Sequence, residues 1–362
     1  MARLGLSIYP NNSDYEQNKA YLDLANKYGF KRIYTCLLSA DGDQSKIKAK
    51  YGAICQYAKS LGMDVIVDVA PGVFKLLEIT YDDLSFFNEL GATGIRLDVE
   101  IDGNKAAMMT YNPYGLKIEF NASIYDNYID NVFSYKINKE KIMCCHNFYP
   151  QKYTGLSLEL FKKCNEKLKV LRVPIAAFIN SNNPINLSPW GTDHGLCTLE
   201  EHRYLPVEVA AKHLLALGID DVIVGNCYLT EEEMQKLAEL SMSKLTIRIE
   251  ELTALSDVER KIIYEFPHFV RPDMSDYMAR SVQCRFEYKD SMIPPNNANK
   301  GILHRGDVVI INENNSHYKG ELQVILKDIP NDGDKNLVGK IMENERFMIE
   351  FLKPFSKFKI IK

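Results

Sequence analysis

Several features that would place the chain in a large functional class are missing from its sequence. No Gly-x-Gly-x-x-Gly follows the first predicted strand, so the fingerprint of a dinucleotide-binding domain is absent. The net charge is −4 and no Lys/Arg block occurs, which argues against a general nucleic-acid binder. No apolar run is long enough for a transmembrane helix. We therefore expect small-molecule partners, and neither a nucleic acid, a membrane nor a cofactor.

Cysteine pairs with a functional spacing are also lacking. The eight cysteines form no C-x-x-C pair and no framework typical of secreted proteins. The side chains of the adjacent Cys144 and Cys145 would point to opposite faces of a strand, which favours packing over redox chemistry. Residues 1–10 run directly into a predicted strand and show no signal peptide. These observations predict a cytoplasmic protein with reduced thiols.

The sequence does contain a regular alternation of strand and helix patterns. Residues 1–243 repeat one unit eight times: a β-branched run, a turn and an amphipathic helix. Eight units predict an α/β fold with a TIM-like (β/α)8 barrel as the catalytic domain, because an open doubly wound sheet rarely needs eight. After Lys244 short strands with turn signals predict a smaller β domain, residues 244–362. The predicted barrel strands are 3–9, 32–38, 64–70, 94–100, 116–123, 141–148, 173–180 and 221–226.

Acidic side chains gather where the predicted barrel strands end, which is where such barrels place their active sites. Strand 4 ends in Arg96-Leu97-Asp98-Val99-Glu100, whose three charged side chains would share one face because strand side chains alternate. Inward charges are costly unless they are paired or used. Asp98 and Glu100 are therefore the leading catalytic candidates, and Glu119 of strand 5 is the reserve carboxylate.

Carboxylates crowded in this way have unequal pKa values and supply one acid and one base at neutral pH. Cleavage of a glycosidic bond requires such a pair. We expect Glu100, nearer the barrel mouth, to be the acid and Asp98, beside Arg96, to stay ionised. Polar side chains at neighbouring strand ends are predicted to bind the substrate: Asp68, Asn121, His146, Asn147 and Tyr149.

The segment after strand 6 has the features of an anion site. It leads into a helix, whose free N–H groups and dipole favour a negative charge. Lys152, Tyr153 and Thr154 are therefore candidate phosphate contacts, although a helix cap would also explain Thr154. No histidine has ligand spacing to His146, and His194 and His202 fall in a predicted flexible loop, so we expect no metal.

Two other functions stay open on these residues. Lys117 has the same inward parity as Glu119 and could form a Schiff base in an aldolase or lyase that acts on a sugar phosphate. Alternatively, the pocket could bind a phosphosugar without turning it over. Acids alone hold a phosphate poorly, which favours catalysis over simple binding.

Several separated strings, in order, resemble one known family. In the first half they are Leu97-Asp98-Val99-Glu100, Glu119-Phe120-Asn121-Ala122-Ser123, and His146-Asn147-Phe148-Tyr149-Pro150 with Tyr153-Thr154-Gly155-Leu156-Ser157. In the second half they are Phe269-Val270-Arg271-Pro272-Asp273, Arg280-Ser281, and Arg305-Gly306-Asp307 followed by Tyr318-Lys319-Gly320-Glu321-Leu322-Gln323. Over essentially its whole length the chain is similar to the 6-phospho-N-acetylmuramidases of glycoside hydrolase family 170.

The resemblance implies a (β/α)8 barrel joined to a cyclophilin-like β-barrel domain. It also implies cytoplasmic cleavage of the β-1,4 bond between N-acetylmuramic acid 6-phosphate and N-acetylglucosamine during cell-wall recycling. That substrate carries a phosphate and a lactyl carboxylate, for which the candidate cations are Lys152, Arg203, Arg271 and Arg280. The loop before Arg203 departs from the family's pattern, and its Trp190 is a candidate for stacking on a sugar face. No oligomeric state is predicted.

Overall fold

A computed structural model of the protein describes residues 2–38, 40, 42–183, 187–190, 194–296 and 301–362. The chain divides into two compact units, Met1–Met242 and Ser243–Lys362. Within the described residues, no helix combines the length and the apolarity needed to cross a membrane.

The first unit is a closed barrel of eight parallel strands, which confirms the predicted TIM-like fold. The strands are paired in chain order, and the last strand closes onto the first from Arg3↔Asp221 to Leu6↔Val224. Most strand residues are buried, because one face fills the barrel and the other is covered by helices. The strands are β1 (Arg3–Ser7), β2 (Arg32–Cys36), β3 (Asp64–Val69), β4 (Gly94–Leu97), β5 (Lys117–Asn121), β6 (Ile142–Cys145), β7 (Ile175–Ile179) and β8 (Asp221–Val224).

Helices follow the strands, and several of them begin at capping residues that the sequence supplies. Asp14, Ser157 and Thr230 each accept a hydrogen bond from a backbone N–H of the first turn. A π-helical turn, Lys48–Gly52, joins the second and third helices. The helices are α1 (Tyr15–Lys27), α2 (Gln44–Ile47), α3 (Ala53–Ser60), α4 (Pro71–Leu76), α5 (Ser85–Leu90), α6 (Gly103–Met109), α7 (Tyr128–Ser134), α8 (Leu158–Leu171), α9 (Val207–Ala216) and α10 (Glu231–Ala238).

All eight barrel strands end one to three residues earlier than their sequence pattern indicates, and for three of them the shift affects candidate site residues. The fourth strand stops at Leu97, the fifth at Asn121 and the sixth at Cys145. The residues that follow lie in loops, so strict alternation no longer decides which way their side chains point. This displacement matters because the candidate carboxylates Asp98 and Glu100 both come after the end of β4.

The second unit is mainly β, as predicted. Seven strands form a mixed sheet in the order β10-β17-β9-β16-β13-β14-β11, and two more form a separate pair. Leu303, Val309 and Ile325 form a fully buried hydrophobic cluster in this unit. The unit also contains the short helices α11 (Asp257–Arg260) and α12 (Cys284–Glu287). The strands are β9 (Leu245–Glu251), β10 (His268–Phe269), β11 (Met278–Ser281), β12 (Ile302–Leu303), β13 (Asp307–Ile311), β14 (Leu322–Ile325), β15 (Ile329–Pro330), β16 (Lys335–Ile341) and β17 (Lys357–Ile361).

Candidate active site

Arg96 organises the carboxylates at the C-terminal end of the barrel. Its Nη1 donates to Asp68 Oδ1 at 2.5 Å and to Asp98 Oδ1 at 2.9 Å, and its Nη2 donates to Asn147 Oδ1. The Arg96 and Asp68 side chains are almost fully buried, whereas the Asp98 side chain is 31% exposed. One guanidinium therefore holds Asp98 in a fixed orientation with part of its carboxylate open to solvent.

The buried Asp68 helps to hold the Arg96 guanidinium in place. Burial raises the pKa of Asp68, although the positive charge of Arg96 acts in the opposite direction. The second carboxylate oxygen, Oδ2, accepts a hydrogen bond of 2.7 Å from the hydroxyl of Tyr34. Both oxygens are thus occupied inside the protein, and Asp68 positions Arg96 rather than presenting a free carboxylate.

Glu100 is exposed and turns towards a second acid, Asp126, in the loop between β5 and α7. Burial, a hydrogen bond with Asp126 and the negative charge of Asp126 raise the pKa of Glu100 to about 7. Two neighbouring carboxyl groups cannot both ionise easily, so at neutral pH a substantial fraction of the pairs retains a proton. Asp68, Arg96, Asp98, Glu100, Asp126 and Asn147 together are called the rim cluster.

A chain of hydrogen bonds leads from His146 to the rim cluster. His146 Nε2 lies 2.9 Å from Asn165 Oδ1, and His146 Nδ1 lies 3.3 Å from Ser123 Oγ. Ser123 Oγ in turn accepts a hydrogen bond of 2.8 Å from the backbone N–H of Asn147. Because an amide oxygen only accepts, this arrangement assigns the His146 proton to Nε2. Burial lowers the pKa of His146 to about 4, so the ring is neutral and orients Asn147 from beneath.

Asn121 and Tyr149 lie beside this chain. Asn121 Oδ1 accepts from Ser123 N at 2.8 Å, and Asn121 Nδ2 donates to the backbone oxygen of Asp98 at 3.4 Å. Tyr149 is half-buried, and burial raises the pKa of its hydroxyl. Of the predicted substrate-binding residues, Asp68, Asn121, His146 and Asn147 are therefore brought together around Asp98 or Arg96.

An aromatic row extends from the barrel interior to the surface. The ring of Phe148 packs edge-on against Tyr34, with centroids 5.9 Å apart, and against Trp190, with centroids 5.8 Å apart. Trp190 is 41% exposed. An exposed indole supported in this way suits stacking on the apolar face of a sugar. Residues 191–193, in the loop predicted to depart from the family pattern, lie outside the described residues.

The predicted anion site after β6 is filled by a carboxylate of the chain itself. Glu200 accepts hydrogen bonds from the backbone N–H of Tyr153 at 2.9 Å and of Gly155 at 2.8 Å. Arg203 donates to both oxygens of Glu200, at 2.8 and 2.6 Å, and is 1% exposed. The Arg203 hydrogen bonds and the backbone contacts outweigh desolvation and lower the pKa of Glu200 to about 2. The segment thus binds a carboxylate of the chain itself, so Arg203 and the Tyr153 N–H are already engaged.

Lys152 and Thr154 have different surroundings. The Thr154 hydroxyl donates to the Gln151 carbonyl at 2.7 Å, a local contact that ties the turn. The ammonium of the exposed Lys152 lies 5.9 Å from the centre of the Tyr204 ring. Among the described residues no carboxylate pairs with Lys152, so it is the cation of this region best able to bind an added anion.

Glu119 and Lys117 belong to a different charge network at the other end of the barrel. Glu119 has no exposed surface and pairs with Arg32 at 2.5 Å, while Arg32 pairs with Asp221 at 2.9 Å. Lys117, the first residue of β5, pairs with Asp64 at 2.9 Å. Arg3 joins the two halves by pairing with Asp64 and Asp221. Arg3, Arg32, Asp64, Lys117, Glu119 and Asp221 are called the base network.

The predicted arginines of the second unit are both paired within that unit. Arg271 pairs with Asp273. Arg280 donates to both oxygens of the buried Glu321, at 2.6 and 3.0 Å, and lies over the ring of Tyr318. Arg280 also lines a cavity of about 270 Å³ on the surface of this unit. Their contribution to substrate binding stays a prediction.

Asp126 and Ser123 were not among the sequence candidates, although a signal for both was available. Both follow the end of β5, at the same edge of the barrel as the candidate carboxylates, and Ser123 shares the parity of Asn121. Glu200 was missed because it lies 45 residues or more from the two N–H groups that it binds. Such a long-range contact leaves no local pattern.

The fold and the site define a (β/α)8-barrel protein with an excess of acid at its C-terminal rim. The chain belongs to the 6-phospho-N-acetylmuramidase family: the family's N-terminal description matches residues 4–239 and its C-terminal description matches residues 245–361.

Two solved structures are similar to the whole chain. An uncharacterized B. cereus protein of known crystal structure is 45% identical, with 100% of both chains covered and a TM-score of 0.91. A conserved *Enterococcus faecalis* protein with an unknown function is 23% identical, with 100% of this chain and 96% of that chain covered and a TM-score of 0.72, which supports the fold alone. A comparison with curated proteins gives no match.

Proposed function

We propose that the protein hydrolyses the β-1,4 bond between N-acetylmuramic acid 6-phosphate and N-acetylglucosamine, as a cytoplasmic step of cell-wall recycling. The observation that carries this proposal is the rim cluster, which combines the Asp98 carboxylate, paired with Arg96, with a carboxyl group at Glu100 whose pKa is raised to about 7. Membership of the 6-phospho-N-acetylmuramidase family supports the choice of substrate.

In this mechanism Glu100 is the general acid. It donates its proton to the glycosidic oxygen of the leaving N-acetylglucosamine, and its pKa near 7 keeps a useful fraction protonated at neutral pH. Asp98 acts on the opposite side of the bond, either by attacking the anomeric carbon or by activating water. Arg96, supported by Asp68 and Asn147, fixes the direction in which the Asp98 carboxylate points.

We assign the substrate phosphate to the side of the site that carries Lys152. Its ammonium is exposed and lacks a carboxylate partner among the described residues, whereas Arg203 is saturated by Glu200 and backbone carbonyls. Trp190 would stack on a sugar ring. We do not propose Glu119 as a catalytic residue, because the Arg32 ion pair and complete burial keep it away from any substrate.

The Schiff-base lyase receives no support from the position of Lys117. Its ammonium pairs with Asp64 at the N-terminal end of the barrel, where the strands begin. A non-catalytic phosphosugar-binding role predicts occupancy of the same pocket without turnover.

The deciding experiment supplies the purified chain with the phosphorylated disaccharide and with its unphosphorylated counterpart, and follows products by mass spectrometry. Cleavage of the phosphorylated form alone supports the proposal. Cleavage of neither form, with binding of the phosphorylated one, would favour the binding protein. Lys152→Ala should raise KM for the phosphorylated disaccharide, whereas the matched control Lys163→Ala, a lysine that is ion-paired to Glu159, should not.

A further inference from the structure

A second group of ligand side chains lies outside the rim cluster. Glu201 and His202 are in the 3-10 turn Glu200–His202, and His213 is in α9. His202 Nε2 is 2.9 Å from His213 Nδ1, and Glu201 Oε1 is 3.3 Å from the same His213 nitrogen. One ligand atom from each residue lies within 4.8 Å of the others. Ligand atoms of two imidazoles and one carboxylate therefore lie close together.

Without a metal ion, one proton can link these three ligand atoms. With the proton on His213 Nδ1, both His202 Nε2 and Glu201 Oε1 can accept from it, so these two acceptors share one hydrogen with the nitrogen that carries it. A metal ion can satisfy all three atoms at once. The displaced proton can move to the other nitrogen of the same ring, His213 Nε2, so the exchange leaves both imidazoles neutral.

We propose that Glu201, His202 and His213 form a Zn²⁺ site, with water as the fourth ligand. Two histidines and one glutamate are an established donor set for Zn²⁺. Zinc–nitrogen bonds of about 2.0–2.1 Å place two nitrogens roughly 3.3 Å apart in a tetrahedral site, so the rings need to separate by only a few tenths of an ångström. The Glu201 side chain is 47% exposed, which leaves room for the ion and water to enter.

The electrostatic surroundings favour neutral ligands but oppose the incoming charge. Burial, followed by the charge of Lys162, lowers the pKa of His213 to about 4, and burial lowers the pKa of His202 well below its usual value. Both rings are therefore neutral at neutral pH, which is the form of histidine that binds a metal ion. Lys162 also acts on Glu201, so its positive charge should weaken cation binding at this point.

This site is positioned to affect the loops of the barrel rather than its chemistry. The same turn carries Glu200, which holds the backbone of Tyr153 and Gly155, and is followed directly by Arg203. A metal that joins His202 to α9 would fix this turn against the helix. We therefore expect the ion to stabilise the protein and not to take part in hydrolysis.

The test uses the full chain after treatment with a chelator. Zn²⁺ is added and its stoichiometry is measured by elemental analysis, with the thermal unfolding temperature followed in parallel. One equivalent should bind, and the unfolding temperature should rise by an amount on the order of 5 °C at a hundredfold excess over Kd. Mg²⁺ should give no such rise, because it prefers oxygen ligands. Co²⁺ should give the visible absorption of a tetrahedral site.

Variants decide whether the ion binds at this cluster. Glu201→Gln, at an exposed carboxylate, should weaken Zn²⁺ binding at least about tenfold, and His213→Gln should abolish it. Lys162→Met should tighten it. The control is His304→Gln, which removes an exposed histidine whose partner is the single carboxylate of Asp328. Absence of a bound equivalent in the unaltered chain, or binding unchanged in both Glu201→Gln and His213→Gln, would overturn the proposal.

Discussion

The two ends of the barrel both carry arginines and carboxylates, but they balance charge differently. The base network sets three cations, Arg3, Arg32 and Lys117, against three acids, and ion pairs link all six residues. The rim cluster sets Arg96 against four acids: Asp68, Asp98, Glu100 and Asp126. Paired charges at one end tie strands together, whereas an excess of acid that reaches solvent at the other end is the arrangement expected of a catalytic site.

Removing one rim carboxylate should have the largest effect on activity. We expect Asp98→Asn and Glu100→Gln to lower kcat for the phosphorylated disaccharide by about 10³-fold or more, because each removes one half of the acid and base pair. Stability should change little, because both side chains reach the surface. Steady-state kinetics and thermal unfolding measure the two effects.

The same variants separate the two catalytic roles. A substrate with a nitrophenol leaving group needs no general acid, so Glu100→Gln should recover much of its rate on that substrate while Asp98→Asn should not. Glu159→Gln, which removes an exposed carboxylate on α8, is the matched control and should leave kcat unchanged. Normal activity in either rim variant would remove that residue from the mechanism.

Substitutions in the base network should have the opposite result, a loss of stability with little loss of activity. Glu119→Gln leaves part of the fully buried Arg32 guanidinium without its charge partner, which should cost about 3 kcal/mol of unfolding free energy. Lys117→Met should cost less, because the Lys117 side chain is 34% exposed. Denaturant titration measures both changes.

Activity measurements complete this comparison of the two ends. The fraction of Glu119→Gln that remains folded should have the kcat of the original protein. A kcat loss in folded Glu119→Gln as large as that of Asp98→Asn would show that the base network takes part in catalysis. Borohydride trapping of Lys117 in the presence of substrate would instead revive the lyase.

The sequence pattern predicted which face of its strand each side chain occupies. It did not predict how far along the barrel axis the side chain lies. The β-branched runs predicted eight strands because both faces of such strands are buried. Alternation also placed Arg96 and Glu119 on inward faces, but Glu119 pairs with Arg32 towards the base, not with the rim acids. The position of a residue along the barrel axis depends on the stagger between strands. That stagger is set by strand pairing around the whole barrel and cannot be read from the sequence of a single strand.

The position of the candidate residues at the C-terminal rim was easier to predict, because it follows from a general rule of the fold. The sequence led to Asp98, Glu100, Asn121 and Asn147, and the structure brings these residues to one edge. Their partners were harder to find, since the direction of a loop such as that around Asp126 depends on tertiary packing. Arg203 looked like a phosphate ligand because its partner Glu200 is an ordinary acidic residue until the turn between them forms.

The interaction between Glu100 and Asp126 makes a narrower prediction about pH. In the original protein kcat should fall as pH rises above about 7, because Glu100 then loses the proton that it donates. Asp126→Asn removes a negative charge, which lowers the pKa of Glu100 towards its ordinary value of 4.5. The decrease of kcat at high pH should therefore begin at a lower pH. Each unit by which the pKa of Glu100 falls should lower the rate at neutral pH about tenfold. Asp130→Asn, which removes an exposed acid on α7, is the control, and an unmoved limb in Asp126→Asn would contradict the assignment of Glu100 as the acid.

The smallest effect should come from breaking the hydrogen bonds beneath the rim. Ser123→Ala removes the hydroxyl that accepts from Asn147 N and faces His146 Nδ1, so Asn147 and its partner Arg96 become less well fixed. Because no group that touches the substrate is lost, we expect kcat to fall by about tenfold with KM nearly unchanged. The pH dependence should keep its limb near 7, since Glu100 and Asp126 are untouched, and Ser123→Thr should restore much of the rate by replacing the hydroxyl. A shift of the pH limb in Ser123→Ala would instead mean that the chain from His146 reaches the proton donor, and that the two sides of the rim act as one unit.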